Sequence, residues 1–262
     1  MAETAFVSRI QIYPIKSLDA TVLQEATMLP SGALEFDRTW ALFDTNGKFV
    51  NGKRYASIHR LRSNVDLKRR MLSICEGGEL LPDAATFSLD EDRGEIESWL
   101  RPYFGFPVEL KTNGDVGFPD DTNSPGPTII SVATLQEIAR WFDLPAGQLR
   151  ARFRTNIEID GVPAFWEDRL FGAPSTVVKF AIGNAVLDGI NPCQRCIVPT
   201  RDPISGREDK EFARRFAELR RETVPAWADK SRFNHFYRAA INTRRSSHGD
   251  NLIRIGDRIR VL

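Results

Sequence analysis

Three residue types are scarce in this 262-residue chain: it holds three cysteines, three histidines and three methionines. Three cysteines, an odd number in a chain of this length, do not build the disulfide framework of a small secreted domain. The histidines, His59, His235 and His248, show no spacing that would complete a metal site with the cysteines. Long hydrophobic runs are also missing. No stretch approaches the roughly 18 apolar residues needed to cross a bilayer. Met1-Ala-Glu-Thr-Ala-Phe-Val lacks the basic and apolar regions of a signal peptide. Charge of one sign is lacking as well: 36 Lys and Arg face 35 Asp and Glu, for a net charge of +1. Such a balance supplies no field for nucleic acid or an anionic membrane. What remains is a protein of a reducing compartment, expected in the cytoplasm, with 42% hydrophobic residues and enough length for one large or two small domains.

Two of the scarce cysteines lie together, in Asn191-Pro192-Cys193-Gln194-Arg195-Cys196, followed by Asp202-Pro203-Ile204-Ser205-Gly206. Prolines on both sides fix φ, so the segment reads as a rigid loop. A thiolate is a soft metal ligand, and the intervening guanidinium favours its charge. A zinc site lacks its second half here, because Cys75 stands alone. A thioredoxin-like pair would open a helix after a strand, which Pro192 and Ile197-Val-Pro-Thr200 oppose. Two buried structural cysteines are the remaining reading.

The first hundred residues read as strands and hairpins with one helix, from about Asp92 to Tyr103, where Ile96, Trp99, Leu100 and Phe104 recur at helical spacing. Residues 113–126 are dense in Gly, Pro, Asn and Asp and read as a hinge or binding loop. They divide the chain into 1–112 and 127–262. Beyond them, Ser131 or Thr134 caps a helix reaching about Asp143, and a helix start of this kind suits an anion. Arg152-Phe-Arg-Thr-Asn156-Ile-Glu-Ile159 is expected as a strand, with Arg152, Arg154, Asn156 and Glu158 lining one face. Two arginines and an asparagine on one surface can hold an anionic ligand; a merely solvated face gives the same pattern. A hairpin spans Val177–Leu187, an amphipathic helix runs from about Arg207 to Arg221 with its basic residues outside, and Leu252–Leu262 is expected to fold back as a strand pair.

Tyr13-Pro-Ile-Lys16-Ser17, Asp37-Arg38-Thr-Trp40, Arg152-Phe-Arg-Thr-Asn156, Cys193-Gln-Arg-Cys196, Asp202-Pro-Ile-Ser-Gly206 and Ile255-Gly-Asp257 occur in the order seen in MOSC-domain proteins. The chain resembles that family over nearly its whole length, N-terminal β-barrel domain included, and is similar to the mitochondrial amidoxime-reducing component and its bacterial relatives. The resemblance implies an α+β, β-rich fold: a MOSC-type β-barrel domain beside a smaller barrel-like domain with few helices. It implies a molybdenum cofactor (Mo-molybdopterin) between the two, with Cys196 as the thiolate on the metal. By matching position, Lys16, Ser17, Arg38, Ser131, Arg154 and Asn156 bind that cofactor. Arg152 and Arg195 lie nearby, and Asp202 either relays protons in catalysis or caps the Asp-Pro turn. Thr155 and Ser205 depart mildly from the pattern, where relatives often carry proline and threonine. The implied activity is reduction of small N-hydroxylated compounds, independent of pyridoxal phosphate. Electrons would come from a separate donor protein of ferredoxin, flavoprotein or cytochrome type, because the chain carries no iron–sulfur module. A cofactor carrier or sulfur-transfer protein without turnover is the competing expectation, and a metal-free β-rich interaction protein is a third.

Overall fold

The computed structural model describes residues 4–262; residues 1–3 and the side chains of Ser247 and His248 lie outside the described part, and with them the reading of the extreme N-terminus and of His248. In chain order the first half comprises β1 (Phe6–Ile12), β2 (Thr21–Leu23), β3 (Glu25–Thr27), β4 (Trp40–Asp44), β5 (Leu61–Asp66), β6 (Met71–Glu76), β7 (Ala85–Ser88), α1 (Arg93–Phe104) and β8 (Val108–Thr112). The second half comprises β9 (Ile129–Ser131), α2 (Val132–Trp141), α3 (Ala146–Phe153), β10 (Ile157–Asp160), β11 (Val178–Ile182), β12 (Ala185–Gln194), α4 (Phe212–Glu222), β13 (Arg238–Gly249), β14 (Leu252–Arg254) and β15 (Ile259–Val261). The architecture is β-rich with few helices, as the sequence leads one to expect.

The largest sheet has eight strands in the order β15-β11-β12-β13-β9-β10-β1-β2. It draws on both sides of residues 113–126, with β1 antiparallel to β10, and a separate two-stranded sheet pairs β3 with β14. Among the described residues no ladder closes the eight-stranded sheet into a full barrel. Its ends are brought together by one bridge between Phe6 and Arg258, supported by hydrogen bonds from Val7 N–H to the Asp257 carbonyl and from Ile259 N–H to the Ala5 carbonyl.

Three apolar cores follow from the pattern. Val7, Ile10, Ile12, Ile157, Ile159, Phe180, Leu187 and Ile241 fill the main sheet. A second core joins β4, β5, β6, β8 and α1 through Trp40, Leu42, Leu61, Leu72, Leu100 and Leu110. A third lies beneath α2, α3 and α4, around Leu135, Ile138, Phe153, Phe212 and Phe216. Phe36 and Leu67 pack against both of the first two cores, so the halves share apolar surface. Each such fully buried side chain contributes about 1.5–3 kcal/mol.

Five sequence expectations are corrected. Arg152 is on a helix rather than a strand: α3 runs through Phe153, Arg154 caps it in the left-handed region (φ 54°), and the strand starts only at Ile157. The alternation arose from a helix end, a cap and a strand start in succession. The last two strands do not pair with each other; β14 joins β3 and β15 joins β11, which bury Ile253 and Ile259 better than a free hairpin would. Helix α4 starts at Phe212, not near Arg207, because residues 200–209 are held in an Asp-Pro turn and a bridge between Arg201 and Glu208. Its basic face is not wholly outside, since Arg220 is fully buried. The cysteine segment is not all loop: β12 continues through Gln194, with register shifts at Asn191 and Gln194 that let Pro192 sit in it.

Candidate functional site

A cleft of about 490 Å³ runs between the two halves of the chain. Its walls come from the segments after β1 and β4, the stretch 119–126, the end of α3, and the β12 end with the loop beyond it. Of the expected residues, Lys16, Ser17, Arg38, Arg152, Arg154, Asn156, Arg195 and Cys196 line this one cleft. Ser131 and Asp202 do not.

The backbone is specialised where the side chains converge. Ser17, Arg38 and Arg154 all have positive φ, at 73°, 54° and 54°. Such conformations are uncommon for non-glycine residues and are retained where the surroundings fix them. Here the fixing element is Tyr13, whose buried ring lies 4.0 Å from the Arg154 guanidinium and 5.2 Å from that of Arg38. One arginine comes from each half of the sequence, and both guanidiniums lie over the phenol ring. Burial lifts the Tyr13 pKa to about 12 despite both cations, so the ring stays neutral. Arg154 also donates to the Leu18 carbonyl at 2.6 Å, and Arg38 pairs with Asp37.

Lys16 is 5% exposed. Its ammonium donates to the Phe118 carbonyl at 2.8 Å and to Asp120 at 2.6 Å. Burial depresses its pKa, and Asp120 opposes that shift. Asp120 also faces Lys53 at 3.3 Å. Burial alone would raise the Asp120 pKa, but the two lysines pull it well below the usual carboxylate range. The irregular stretch 113–126 thus supplies cleft wall, with Ser124 beside it.

On the opposite wall, Cys196 Sγ accepts the Val198 N–H at 3.5 Å, and Arg195 donates to Cys193 Sγ at 3.3 Å while also reaching the Phe153 carbonyl. Arg152 donates to the Pro199 carbonyl at 2.9 Å, holding the loop after the cysteines to the end of α3. Asn156 is spent internally: its carboxamide bridges the Gln11 carbonyl and Thr128. It fixes the floor where β1, β9 and β10 meet.

Ser131 is a correction. It is fully buried and is the N-cap of α2, where its hydroxyl accepts the Thr134 N–H at 3.0 Å. Thr134 in turn donates to Glu167 at 3.0 Å. The capping site therefore serves the fold and turns away from the cleft. Asp202 is the second correction. Its carboxylate accepts from the backbone and hydroxyl of Ser205, from Ile204 N–H and from Gln148. Burial pushes its pKa up, but the Ser205 hydrogen bonds outweigh that and hold it low. It caps the Asp-Pro turn, one of its two expected roles, and does not line the cleft.

Sequence reasoning missed Asn51, Gly52, Lys53, His59, Ser124, Arg238 and Asn242, all of which line the cleft. Burial, then the nearby Arg154 charge, depresses the His59 pKa to about 4, so the ring is neutral at neutral pH. Its signal in the sequence was weak, since it was weighed only as a ligand. Altogether seven cationic side chains face three carboxylates, Asp37, Asp120 and Asp121. Arg152 Nε, Arg195 Nε, Arg238 Nε, His59 Nε2 and Ser124 Oγ are buried without a hydrogen-bond partner. Buried polar atoms are normally paired, so a wall with five such atoms is shaped for a polar, anionic occupant.

Residues 4–102 match the MOSC N-terminal beta barrel domain, and residues 128–260 match the MOSC domain. The chain belongs to the MOSC family. It is similar to proteins named molybdenum cofactor sulfurase: 23% identical to that of Homo sapiens over 83% of this chain, and 26% identical to that of Drosophila grimshawi over 72% of it. The alignments cover 29% and 27% of those proteins, so the chain spans less than a third of their length. Among solved structures it is similar to the YUAD protein from Bacillus subtilis, at 12% identity and a TM-score of 0.47, covering 98% of this chain and 95% of that one.

Proposed function

We propose that the cleft binds a molybdenum cofactor and that the loaded protein reduces N-hydroxylated small molecules, taking electrons from a separate donor protein. The observation that carries the reading is the cleft itself: a cation-rich wall with five unpartnered buried polar atoms, beside two thiols. A pterin phosphate carries negative charge, and guanidinium and ammonium groups are its natural partners. Among the described residues no group of three His, Cys, Asp or Glu side chains is placed to hold a metal. A metal taken by Cys196 would therefore draw its other ligands from a non-protein group, which fits a dithiolene cofactor.

In this reading Lys16, Ser17, Arg38 and Arg154 hold the cofactor's polar groups, Arg152 and Arg195 fix the wall around the thiols, and Cys196 is the protein ligand. When bound, such a cofactor supplies two-electron oxygen-atom chemistry. The chain's own contribution is to neutralise charge, to orient, and to enclose. His59, neutral and packed against Gly52, lines the cleft without adding charge to it.

The test uses protein expressed in a cofactor-competent host, assayed anaerobically with a chemical reductant and benzamidoxime. Wild-type protein is expected to contain molybdenum and turn over. Cys196→Ser should abolish turnover, and Cys193→Ser should retain much of it; equal loss of metal from both would indicate a two-thiolate site instead. A second reading, a cofactor carrier or sulfur-transfer protein, draws support from the names of the relatives. It forecasts loaded protein that shows no turnover yet passes its cofactor to an apo-molybdoenzyme.

A further inference from the structure

A second pocket of about 180 Å³ lies against the main cleft, with Ser17, His59 and Arg154 as the shared wall. Four guanidinium groups line it: Arg9, Arg62, Arg150 and Arg154. Asp19 is its one lining carboxylate, and that group is already engaged by Ser63 N–H at 2.9 Å and by Arg62 at 3.4 Å. Arg150 is tied to the buried Glu158. Arg62 is anchored by the carbonyls of Leu61, His59 and Pro203. Arg9 differs: its side-chain hydrogen bond goes to Gln11, through Nε at 3.0 Å, and its cross-strand neighbour Glu158 is already taken by Arg150. Tyr13, Gln11 and Gly147 complete a small polar chamber.

Arg150 and Arg62 are paired with Glu158 and Asp19, which leaves the charges of Arg9 and Arg154 without a carboxylate in ion-pair contact, and an anion between the guanidiniums would relieve their repulsion. We propose that this pocket binds a small oxyanion, the carboxylate or phosphate of a separate small molecule, distinct from the ligand of the main cleft. Planar guanidinium forks anchored from behind match an oxyanion in a preorganised way. The volume suits such a group with a few further atoms and excludes a nucleotide. Oxyanion binding here does not depend on the cofactor reading of the main cleft; only the distinction between the two ligands does.

The test is a titration of the cofactor-free protein with inorganic phosphate at low ionic strength, following the arginine Nε–H signals by NMR. The Arg9 and Arg62 signals should shift together and saturably. Arg9→Ala should weaken the affinity roughly fivefold, the effect of about one partly screened charge contact. Arg9→Lys should stay close to wild type, and Arg9→Glu should abolish binding. Arg9 is half-exposed with one side-chain hydrogen bond, so these variants should fold, and unchanged signals elsewhere check that. No shift at any arginine overturns the proposal, as do shifts confined to Arg38, Arg152, Arg195 and Arg238, which place the anion in the main cleft. The source of the anion is settled by molybdenum content in Arg9→Ala from a cofactor-competent host. Unchanged content is expected; a fall parallel to the phosphate affinity would mean the pocket holds the cofactor's own phosphate, and overturns the proposal. If wild-type protein takes up no cofactor at all, the cofactor reading fails while the phosphate titration stands.

Discussion

Replacing Glu167 with glutamine should stabilise the protein at pH 8 and leave it nearly unchanged near pH 4.5. Glu167 is 1% exposed, bonded by Thr134 through one oxygen, with the other oxygen unpartnered. Burial, reinforced by the adjacent Asp168, raises its pKa from 4.5 to about 7. The unfolded chain thus loses this proton first, and between pH 4.5 and 7 the folded state holds more of it. Stability therefore falls as pH rises through that window and levels off above it. At about 1.4 kcal/mol per pH unit, the window is worth about 3 kcal/mol. Glutamine keeps the neutral shape and removes the titration. His59 works the other way: its pKa falls from 6.5 to about 4, so it adds stability as pH rises between those values. The informative quantity is accordingly the difference between Glu167→Gln and wild type, read from urea midpoints at pH 4.5, 6, 7 and 8. If that difference is the same at every pH, Glu167 ionises without cost and the reasoning about this buried network is wrong.

Two further outcomes follow from charges elsewhere. Arg220 is fully buried, paired with Asp168 and stacked 3.9 Å from the Phe165 ring, so Arg220→Met should cost about 3–5 kcal/mol in urea unfolding, because it strands a buried carboxylate. The double variant with Asp168→Asn should recover part of that loss; no recovery would show that packing rather than charge sets the cost. In the cleft, Asp120→Asn frees Lys16 and Lys53 and should tighten inorganic pyrophosphate binding to the cofactor-free protein about fivefold, the effect of about 1 kcal/mol from a half-exposed pair, measured by calorimetry.

The cleft was legible in the sequence to the extent that it is built from short segments with special backbone. Tyr13-Pro14-Ile15-Lys16-Ser17 and Asp37-Arg38 stand out because they break the strand pattern, and they break it because Ser17 and Arg38 must turn their backbones to aim at the cleft. The cysteine segment stands out by its prolines, and Pro192 sits where β12 shifts register against β13. Gly, Pro, Asn and Asp in 113–126 marked a binding loop as one of two readings, and Asp120 and Ser124 do line the wall. Residues supplied by ordinary-looking sequence were invisible. His59 lies in a single 3₁₀ turn, and Arg238 opens a long strand, with nothing local to distinguish either from its neighbours.

Ser131 and Arg152 show where local pattern fails. A serine before a helix predicts a donor-rich N-terminus wherever it occurs, and of the two candidates, Ser131 and Thr134, Ser131 is the N-cap. Whether that terminus faces a ligand depends on what packs over it, and here Phe165 and Glu167 arrive from more than thirty residues away to take Thr134. The alternation around Arg152 is compatible with a strand, yet the chain gains more by burying Leu149 and Phe153 against α2 and α4 in an eight-residue helix. Arg154 then has to reverse the chain in a left-handed cap, and that reversal is what carries its guanidinium from the helix onto Tyr13 and the Leu18 carbonyl. The contact between the two halves at the cleft is thus a consequence of how α3 ends.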